Sequence, residues 1–355
     1  MNSDASMPVT LGYVALTDSA PLVVAKELGF FTEHGLNVTL QAQHSWSTLR
    51  DKLHAGVLDA AHMLAPMPIA SALGLAGPAC DVMTPLVLSQ NGNAITLSNA
   101  VYDEIAATND FSDLHLPLSA NALGAVVAQR RKQHRAKLRF ASVFPYSCHY
   151  YQLVDWLASG QISLDDVELV IVPPTNMVDA LHCGDIDGYC VGGPWNAKAV
   201  RAGFGVTVLT SCDIWPNSAE KVLGVLSQYH QRYPERVTKL CRALKQACCW
   251  LETIPNRFES ARLLSGYDYL DAPIDVIAPS LIGSCVVKPG LSPREIPDYN
   301  LFFSEHADVN APSLQCAQWL LAKMESTGQL SKVVASEVDL SRIYRSDIYH
   351  QIFSS

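Results

Sequence analysis

The side chains of this chain that could do chemistry lie in loops that follow predicted strands. They are hydroxyls, amides, neutral imidazoles and indoles, which donate hydrogen bonds without carrying a full charge. Such donors suit a weakly basic anion held away from water, because a buried donor needs a partner that accepts from it. We therefore predict an anion-binding site formed by Thr17, Asp18, Ser45, Trp46, His62, Met63, Pro66, Asn91, Gly92, Ser147, Cys148, His149, Cys190, Val191, Gly192, Gly193 and Trp195.

Some of these residues also have an ordinary structural interpretation. Thr17 can be only a helix cap, and the indoles of Trp46 and Trp195 can pack in a core or between two lobes. His149 lies just inside a predicted helix N-terminus and is a better ligand candidate than His182, whose helix is expected to face solvent or a partner.

A catalytic or metal-binding role has little support in the sequence. Cys148 and His149 are adjacent, but neighbours on a helix do not face one another, and no third group orients them. No P-loop and no GxGxxG with an acidic partner is found. His62 and His149 could share a metal, although two histidines without a carboxylate are a weak metal signal. We expect no enzyme activity, no cofactor and no metal.

One segment of the chain occurs twice, over 53–67 and 181–195, with Gly, Asp and Pro in the same register. In each copy a helix runs into a glycine suited to positive φ, a short strand follows, and proline precedes the next helix. The two halves are predicted to share one plan, unless this common α/β pattern recurs by chance. If the copies face each other across a cleft, two helix N-termini would point at one small anion.

Strands and helices alternate from the start of the chain, which predicts parallel sheets covered by helices. Two such lobes are expected, over 8–94 with 208–355 and over 95–207, with the segments 91–97 and 205–211 crossing between them. From about residue 221 onward the chain is predicted to be mainly helical and to return to the first lobe. This arrangement is typical of a binding-protein cleft that closes over its ligand.

Composition limits the classes of partner. The formal charge of −9 argues against direct binding of nucleic acid, and the basic cluster at 130–137 is interpreted as a solvated helix face. The ten cysteines form no CxxC pair and no zinc spacing, which is typical of reduced thiols in a cytoplasm. The segment 1–7 has no features of an export signal, and no apolar run could span a membrane. We expect a cytoplasmic protein without membrane insertion.

Four segments, 16–22, 62–68, 91–96 and 187–197, together resemble a known family. They are similar to the nitrate- and bicarbonate-binding proteins of ABC transporters, and still more to the cytoplasmic NasS nitrate sensors. The resemblance covers most of the chain, from about residue 9 to 300. It implies an α/β type II periplasmic-binding-protein fold and an oxyanion ligand, nitrate or nitrite. For the sensor branch it also implies a partner, a NasT-type RNA-binding antiterminator held inactive until ligand arrives.

The sequence departs from the family pattern at two points. Gly193 stands where many transport members carry an acidic residue, and bicarbonate binders use a carboxylate with a metal, so the glycine favours a metal-free anion site. The helix predicted over 273–282 has no lysine, so the lysine that nitrate transporters bring to the ligand has no position there.

Three hypotheses for the function follow. The first is a cytoplasmic nitrate or nitrite sensor that controls an antiterminator by ligand-driven lobe closure. The alternative is the solute-binding component of a nitrate, nitrite or bicarbonate ABC transporter. The third, an enzyme on this fold such as a thiamine-pyrimidine synthase, would need a cofactor-binding lysine and a clustered cysteine motif that the sequence does not show.

Overall fold

The strands and helices of the chain alternate as the sequence predicts. The computed structural model describes residues 7–109 and 115–354; part of the N-terminal segment considered for export, residues 1–6, lies outside them. The strands are β1 (Met7–Val14), β2 (Leu36–Gln43), β3 (Ala60–Leu64), β4 (Val82–Asn91), β5 (Asn93–Ser98), β6 (Leu138–Ser142), β7 (Val167–Ile171), β8 (Gly188–Gly192), β9 (Gly205–Thr210), β10 (Ala219–Leu226), β11 (Ser284–Cys285), β12 (Arg294–Glu295) and β13 (Asn300–Leu301).

Helices connect these strands and cover the sheets. Among the described residues, no helix combines the length and apolar character needed to cross a membrane. Short 3-10 turns occupy Thr17–Ser19, Pro174–Asn176 and Leu340–Arg342. The α-helices are α1 (Ala20–Glu27), α2 (Phe30–Glu33), α3 (Trp46–His54), α4 (Met67–Ala72), α5 (Asn99–Thr108), α6 (Ala120–Lys132), α7 (Cys148–Ser159), α8 (Met177–Cys183), α9 (Trp195–Arg201), α10 (Ser211–Ile214), α11 (Ser227–Arg232), α12 (Pro234–Trp250), α13 (Ile254–Leu264), α14 (Ile274–Leu281), α15 (Leu314–Ser326), α16 (Lys332–Glu337) and α17 (Ser346–Phe353).

The strands form two large mixed sheets and a small two-stranded one. The first sheet has the order β13-β4-β10-β3-β1-β2, and the second has the order β7-β6-β8-β5-β9. Strand β10 runs antiparallel to β3 and β4, and β5 runs antiparallel to β8 and β9. The prediction of parallel sheets was therefore wrong for β5 and β10. We call each large sheet with the helices packed on it a lobe.

The two sheets repeat one strand order, which explains the repeated segment. Read from one edge, β4-β10-β3-β1-β2 of the first sheet corresponds to β9-β5-β8-β6-β7 of the second. The repeated strands β3 and β8 occupy the same place, each between a parallel and an antiparallel neighbour. Gly56 and Gly184 both adopt positive φ, 68° and 77°, where the preceding helix ends.

Strands β5 and β10 each reach their sheet by crossing from the other lobe. The crossings lie at Gly92, between β4 and β5, and at 211–218, between β9 and β10. The expected crossings 91–97 and 205–211 therefore consist largely of strands β5 and β9, and β10 lies inside the region predicted to be mainly helical. All eight residues of β10 are buried. Its charged pair, Glu220 and Lys221, interrupts the apolar run by which a buried strand is recognised.

The C-terminal helices return to the first lobe, as predicted. Leu244 of α12 and Leu264 of α13 share one apolar core with Leu11 of β1 and Leu223 of β10. This packing covers β10, which lies between β4 and β3 in the first sheet. The domain boundaries themselves stay a prediction.

Candidate anion-binding site

A fully buried lysine lies between two buried carboxylates. Lys221, on the central strand β10, has its Nζ atom 2.7 Å from Asp18 Oδ2 and 2.9 Å from Glu220 Oε1. Burial acts to lower the pKa of Lys221, but the two carboxylates outweigh it and raise that pKa above its ordinary value. The ammonium group therefore keeps its charge in a place that excludes water.

Side chains of the second lobe complete this cluster. Asn93, at the start of β5, donates from Nδ2 to Glu220 Oε2 at 2.7 Å and to Gln152 Oε1 at 3.0 Å. His149, in the first turn of α7, has its Nδ1 atom 3.4 Å from Glu220 Oε1. Because Glu220 belongs to the first sheet, these contacts join the two lobes through one buried carboxylate.

Trp46 and His62 close the cluster on the side of the first lobe. His62 Nε2 lies 3.6 Å from Asp18 Oδ1, and the His62 ring centroid is 6.3 Å from that of Trp46. Lys221 Nζ lies 5.6 Å from the Trp46 ring centroid. We use the name "buried polar cluster" for Asp18, Trp46, His62, Asn93, His149, Gln152, Glu220 and Lys221.

Both imidazoles of the cluster are neutral near neutral pH. Burial lowers the pKa of His62 to about 4, with a further contribution from Lys221, although Asp18 acts in the opposite direction. Burial and Lys221 also hold the pKa of His149 well below its usual range. A neutral imidazole donates one hydrogen bond and accepts one, so each ring can present a single N–H to a ligand.

Several buried polar atoms of the cluster lack a protein partner. Leaving a buried donor unsatisfied costs about 1–3 kcal/mol, so this arrangement favours a ligand that accepts hydrogen bonds. Together with the ammonium group of Lys221, the N–H groups suit an oxygen-rich anion. The nitrogen atoms without a hydrogen-bond partner among the described residues are Trp46 Nε1, both ring nitrogens of His62 and of His149, and Gln152 Nε2.

Of the residues predicted from the sequence, the structure brings Asp18, Trp46, His62 and His149 together. Gly192 lies against them, because a Cβ atom built on it would be 3.4 Å from Asp18 Oδ2 and 3.5 Å from Asn93 Oδ1. Its backbone therefore forms one wall of the cluster.

Three further predicted residues form the contact between the lobes. The backbone N–H of Thr17 donates to the Gly193 carbonyl at 2.8 Å, and Ser280 Oγ on α14 donates to Thr17 Oγ1 at 3.2 Å. The indole N–H of Trp195 donates to the Ala15 carbonyl at 3.3 Å. These bonds hold the second lobe against the first beside the cluster.

Two predicted serines cap helices. Ser45 Oγ accepts from the N–H of Thr48, and Ser147 Oγ accepts from the N–H of Tyr150 at 3.0 Å. Neither hydroxyl takes part in the contacts of the cluster, although Ser147 orients the helix that carries His149. The capping alternative applies to these residues rather than to Thr17.

The predicted residues on the repeated segments have packing roles. Met63 lies next to Gly224 on β10, since a Cβ atom on that glycine would overlap the Met63 sulfur, and Val191 accepts from Asn196 Nδ2 at 2.8 Å. Pro66 and Pro194 precede helices of only six and seven residues. The donors of the cluster are thus side chains, rather than the two helix N-termini that the repeat suggested.

The remaining predicted residues support the cluster or the crossing. Cys148 donates to the Ala219 carbonyl at 3.5 Å, and Cys190 lies 3.9 Å from Gln152 Oε1. Burial raises the pKa of both thiols well above its usual value, so neither is a thiolate nucleophile. Asn91 donates from Nδ2 to the Asp298 carbonyl at 2.8 Å, and Gly92 has a positive φ of 95° where the chain crosses.

The members of the buried polar cluster that were not predicted from the sequence are Lys221, Glu220, Asn93 and Gln152. The available signal was the pair of charges inside the otherwise apolar run 219–226, because charges are rarely buried unless they are paired. The helix predicted over 273–282 has no lysine, whereas the buried lysine of the cluster lies on β10. Within 7–109 and 115–354, no three His, Cys, Asp or Glu side chains are grouped as a metal ion would require.

Known proteins resemble this chain over nearly its whole length. The bicarbonate transport ATP-binding protein CmpC of Synechococcus elongatus is 38% identical over 324 residues, which cover 90% of this chain and 45% of CmpC. The nitrate/nitrite binding protein NrtA of the same species is 30% identical over 355 residues, 97% of this chain and 76% of NrtA. The chain spans about half the length of the ATP-binding relatives that it matches.

A solved structure confirms the predicted periplasmic-binding-protein fold. The crystal structure of the periplasmic nitrate-binding protein NrtA from Synechocystis PCC 6803 superimposes with a TM-score of 0.88 at 26% identity, over 98% of this chain and 88% of that one. The resemblance to nitrate- and bicarbonate-binding proteins of ABC transporters is confirmed, whereas the sensor branch stays a prediction. Residues 3–265 match the model of the NMT1-like family. On these matches, the chain belongs to the NMT1-like family.

Proposed function

We propose that this chain is a solute-binding protein for a small monovalent oxyanion, nitrate or nitrite, and that it serves an importer of the NrtA type. The observation that carries the proposal is the buried ammonium group of Lys221 beside indole, imidazole and amide nitrogens that have no hydrogen-bond partner in the described part of the chain. An anion whose oxygens only accept hydrogen bonds complements such groups. Two NrtA relatives support the same choice. One is a nitrate/nitrite binding protein, and the other is a periplasmic nitrate-binding protein.

The ATP-binding role in the name of CmpC is not carried over to this chain. Its 355 residues contain no GxxxxGK[ST] segment, whose backbone N–H groups would cradle nucleotide phosphates. Bicarbonate, the substrate in that name, differs from nitrate by one O–H donor. The side-chain oxygen Oδ1 of Asn93 has no hydrogen-bond partner among the described residues and could accept from such a donor. Bicarbonate is therefore the competing ligand that the experiment must include.

Calorimetric titration of the purified protein with nitrate, nitrite, bicarbonate and sulfate tests the proposal. We expect nitrate or nitrite to bind with a stoichiometry of one and sulfate to bind far more weakly, because a divalent anion brings a second uncompensated negative charge into the buried site. If bicarbonate alone bound tightly, the ligand of the site would be bicarbonate rather than nitrate or nitrite. Absence of binding for all four anions would contradict the proposal.

Replacing His149 with Ala is expected to weaken anion binding by about 1–3 kcal/mol, roughly 5- to 150-fold in dissociation constant, because one N–H donor to the ligand is lost. The matched control is His182→Ala. His182 lies on the repeated helix α8 and stacks on Phe204, with ring centroids 3.9 Å apart. The His182→Ala variant should keep the affinity of the parent protein. Equal affinities of the His149 variant and the parent would remove His149 from the site.

A second candidate function, the cytoplasmic sensor, is favoured by one observation. All ten cysteines lie in the described ranges, and all are free thiols, five of them buried. Proteins of oxidising compartments commonly pair their cysteines, whereas this usage is common in reducing ones. A sensor would use the same anion site, and lobe closure would change the surface that a NasT-type antiterminator recognises.

The sensor hypothesis predicts a complex that dissociates on anion binding. We expect the anion-free protein to co-purify with a regulatory partner, and millimolar or lower nitrate to release that partner. By linkage, the partner must weaken nitrate binding by the same factor. Pull-down from the source cells with and without nitrate measures this, and fractionation gives the compartment. Recovery of the chain only from an exported fraction, with no anion-sensitive partner, would leave the importer function.

A further inference from the structure

The buried polar cluster carries an unbalanced charge before any anion enters. Lys221 contributes one positive charge, and Asp18 and Glu220, at 2.7 Å and 2.9 Å from its ammonium group, contribute two negative ones. With both carboxyl groups ionised and the imidazoles of His62 and His149 neutral, the cluster holds a net charge of −1. All five side chains are at most 1% exposed, so solvent compensates little of it.

A monovalent anion entering this cluster would make its net charge more negative, from −1 to −2. Two like charges a few ångströms apart in a medium of low polarity repel strongly, because screening by water and salt is weak there. Contact between the anion and Lys221 does not remove the problem, since that lysine already neutralises one carboxylate. Binding therefore requires either that a carboxylate leave the cluster or that a proton enter it.

The packing prevents either carboxylate from leaving the cluster. Glu220 accepts a hydrogen bond from Asn93 and ion-pairs with Lys221, and its strand is hydrogen-bonded on both sides, to β3 and β4. Asp18 is fixed in the 3-10 turn Thr17–Ser19, which packs beneath α14. Neither carboxylate can reach solvent without breaking the sheet or the contact between the lobes.

We propose that anion binding is coupled to uptake of one proton by the pair His149–Glu220, so that the protein binds the anion together with a proton. The inference rests on the proposed function. His149 Nδ1 lies 3.4 Å from Glu220 Oε1, and neither ring nitrogen has a hydrogen-bond partner among the described residues. A protonated imidazole would donate from Nδ1 to Glu220 and from Nε2 to the anion, which keeps the net charge of the cluster at −1.

The pKa directions agree with this assignment. Burial, followed by the charge of Lys221, holds the pKa of His149 well below its usual range, so that the ring is unprotonated while the site is free of anion. Burial raises the pKa of Glu220, although Lys221 and Asn93 oppose it. An anion beside the pair would raise the pKa of His149 and the pKa of Glu220, because it favours the protonated form of each group.

The surroundings of the pair offer few other proton acceptors. The thiols of Cys148 and Cys190 already carry their protons, since burial raises the pKa of each well above its usual value. The competing bases of the cluster are His62 and Asp18, which face each other rather than Glu220. The titratable and charged groups that face the pair are Asp18 from the turn after β1, His62 from β3, Cys148 from α7, Cys190 from β8 and Lys221 from β10.

Calorimetry in buffers with different ionisation enthalpies measures the coupling directly. The heat of nitrate binding near neutral pH should vary linearly with the ionisation enthalpy of the buffer, with a slope of one proton taken up per anion. The dissociation constant should rise about tenfold for each pH unit above neutrality. Nitrate binding with a slope of zero would overturn the proton coupling and leave the proposed function intact. No binding of nitrate or of nitrite across the same pH range would overturn the proposed function itself.

Two substitutions locate the proton, and a third, at His62, is the control. Glu220→Gln removes one negative charge and keeps the shape, so we expect a slope near zero and an affinity that no longer changes with pH. His149→Gln should also abolish the slope, because the amide cannot take the proton. His62→Gln weakens binding but should keep the slope of one. Loss of the slope in His62→Gln, with its retention in His149→Gln, would contradict the assignment to His149–Glu220.

Discussion

Replacing Lys221 with Met is expected to abolish anion binding and to destabilise the protein by about 3–5 kcal/mol, which is the usual cost of removing one partner of a buried ion pair. Met has a similar volume, so the change creates little cavity and mainly removes the charge. Asp18 and Glu220 would then be buried without a cation within ion-pair distance. Chemical denaturation gives the loss of stability, and calorimetric titration gives the loss of binding.

A neutral variant of the cluster separates these two effects. The triple substitution Asp18→Asn, Glu220→Gln and Lys221→Met removes all three charges together and leaves side chains of similar size. We expect it to recover most of the stability lost in Lys221→Met, because no uncompensated charge is left in the interior, and to remain unable to bind the anion. A Lys221→Met protein as stable as the parent would mean that the two carboxylates are not charged in the folded state.

Adding a single methyl group at Gly193 should weaken anion binding by about 1–3 kcal/mol, the usual cost of overpacking. A Cβ atom there would lie 2.5 Å from Ser280 Oγ, 2.7 Å from Thr17 Oγ1 and 3.1 Å from Ser280 Cβ. Thr17 and Ser280 belong to the first lobe, and Gly193 belongs to the second. The clash therefore penalises the closed arrangement of the lobes and shifts the protein toward an open one.

Gly124→Ala is the matched control, because a Cβ atom there would lie 2.5 Å from the Gly160 carbonyl oxygen, so it overpacks the second lobe without touching the first. We expect a much smaller loss of affinity for it, measured by the same titration. Ser280→Ala in the Gly193→Ala protein removes the atom nearest to the new methyl group and should restore part of the affinity. If Gly193→Ala binds the anion as tightly as the parent protein, the lobes do not approach each other closely at Gly193 in the bound state.

The sequence alone determined the two-lobed α/β plan, since local patterns carry it, but it did not determine the antiparallel strands. The recurring Gly, Asp and Pro of 53–67 and 181–195 indicated two equivalent halves, and the sheets share one strand order because β3 and β8 hold equivalent places. Loops after strands also yielded Asp18, Trp46, His62 and His149, because strand ends meet at one edge of a sheet. Strand β10 was not predicted, because its two charged residues interrupt the apolar pattern of a buried strand.

Only the tertiary structure decided which groups carry the charges of the site. Lys221 and Glu220 are neighbours in the sequence, but their partners Asp18 and His149 lie about 200 and 70 residues away and meet them only after the chain has crossed twice between the lobes. Pairings over such separations depend on packing of the whole sheet and leave no periodic mark in the sequence. The same packing removes water from these groups, and that removal determines their charge states and thus how an anion can be accommodated.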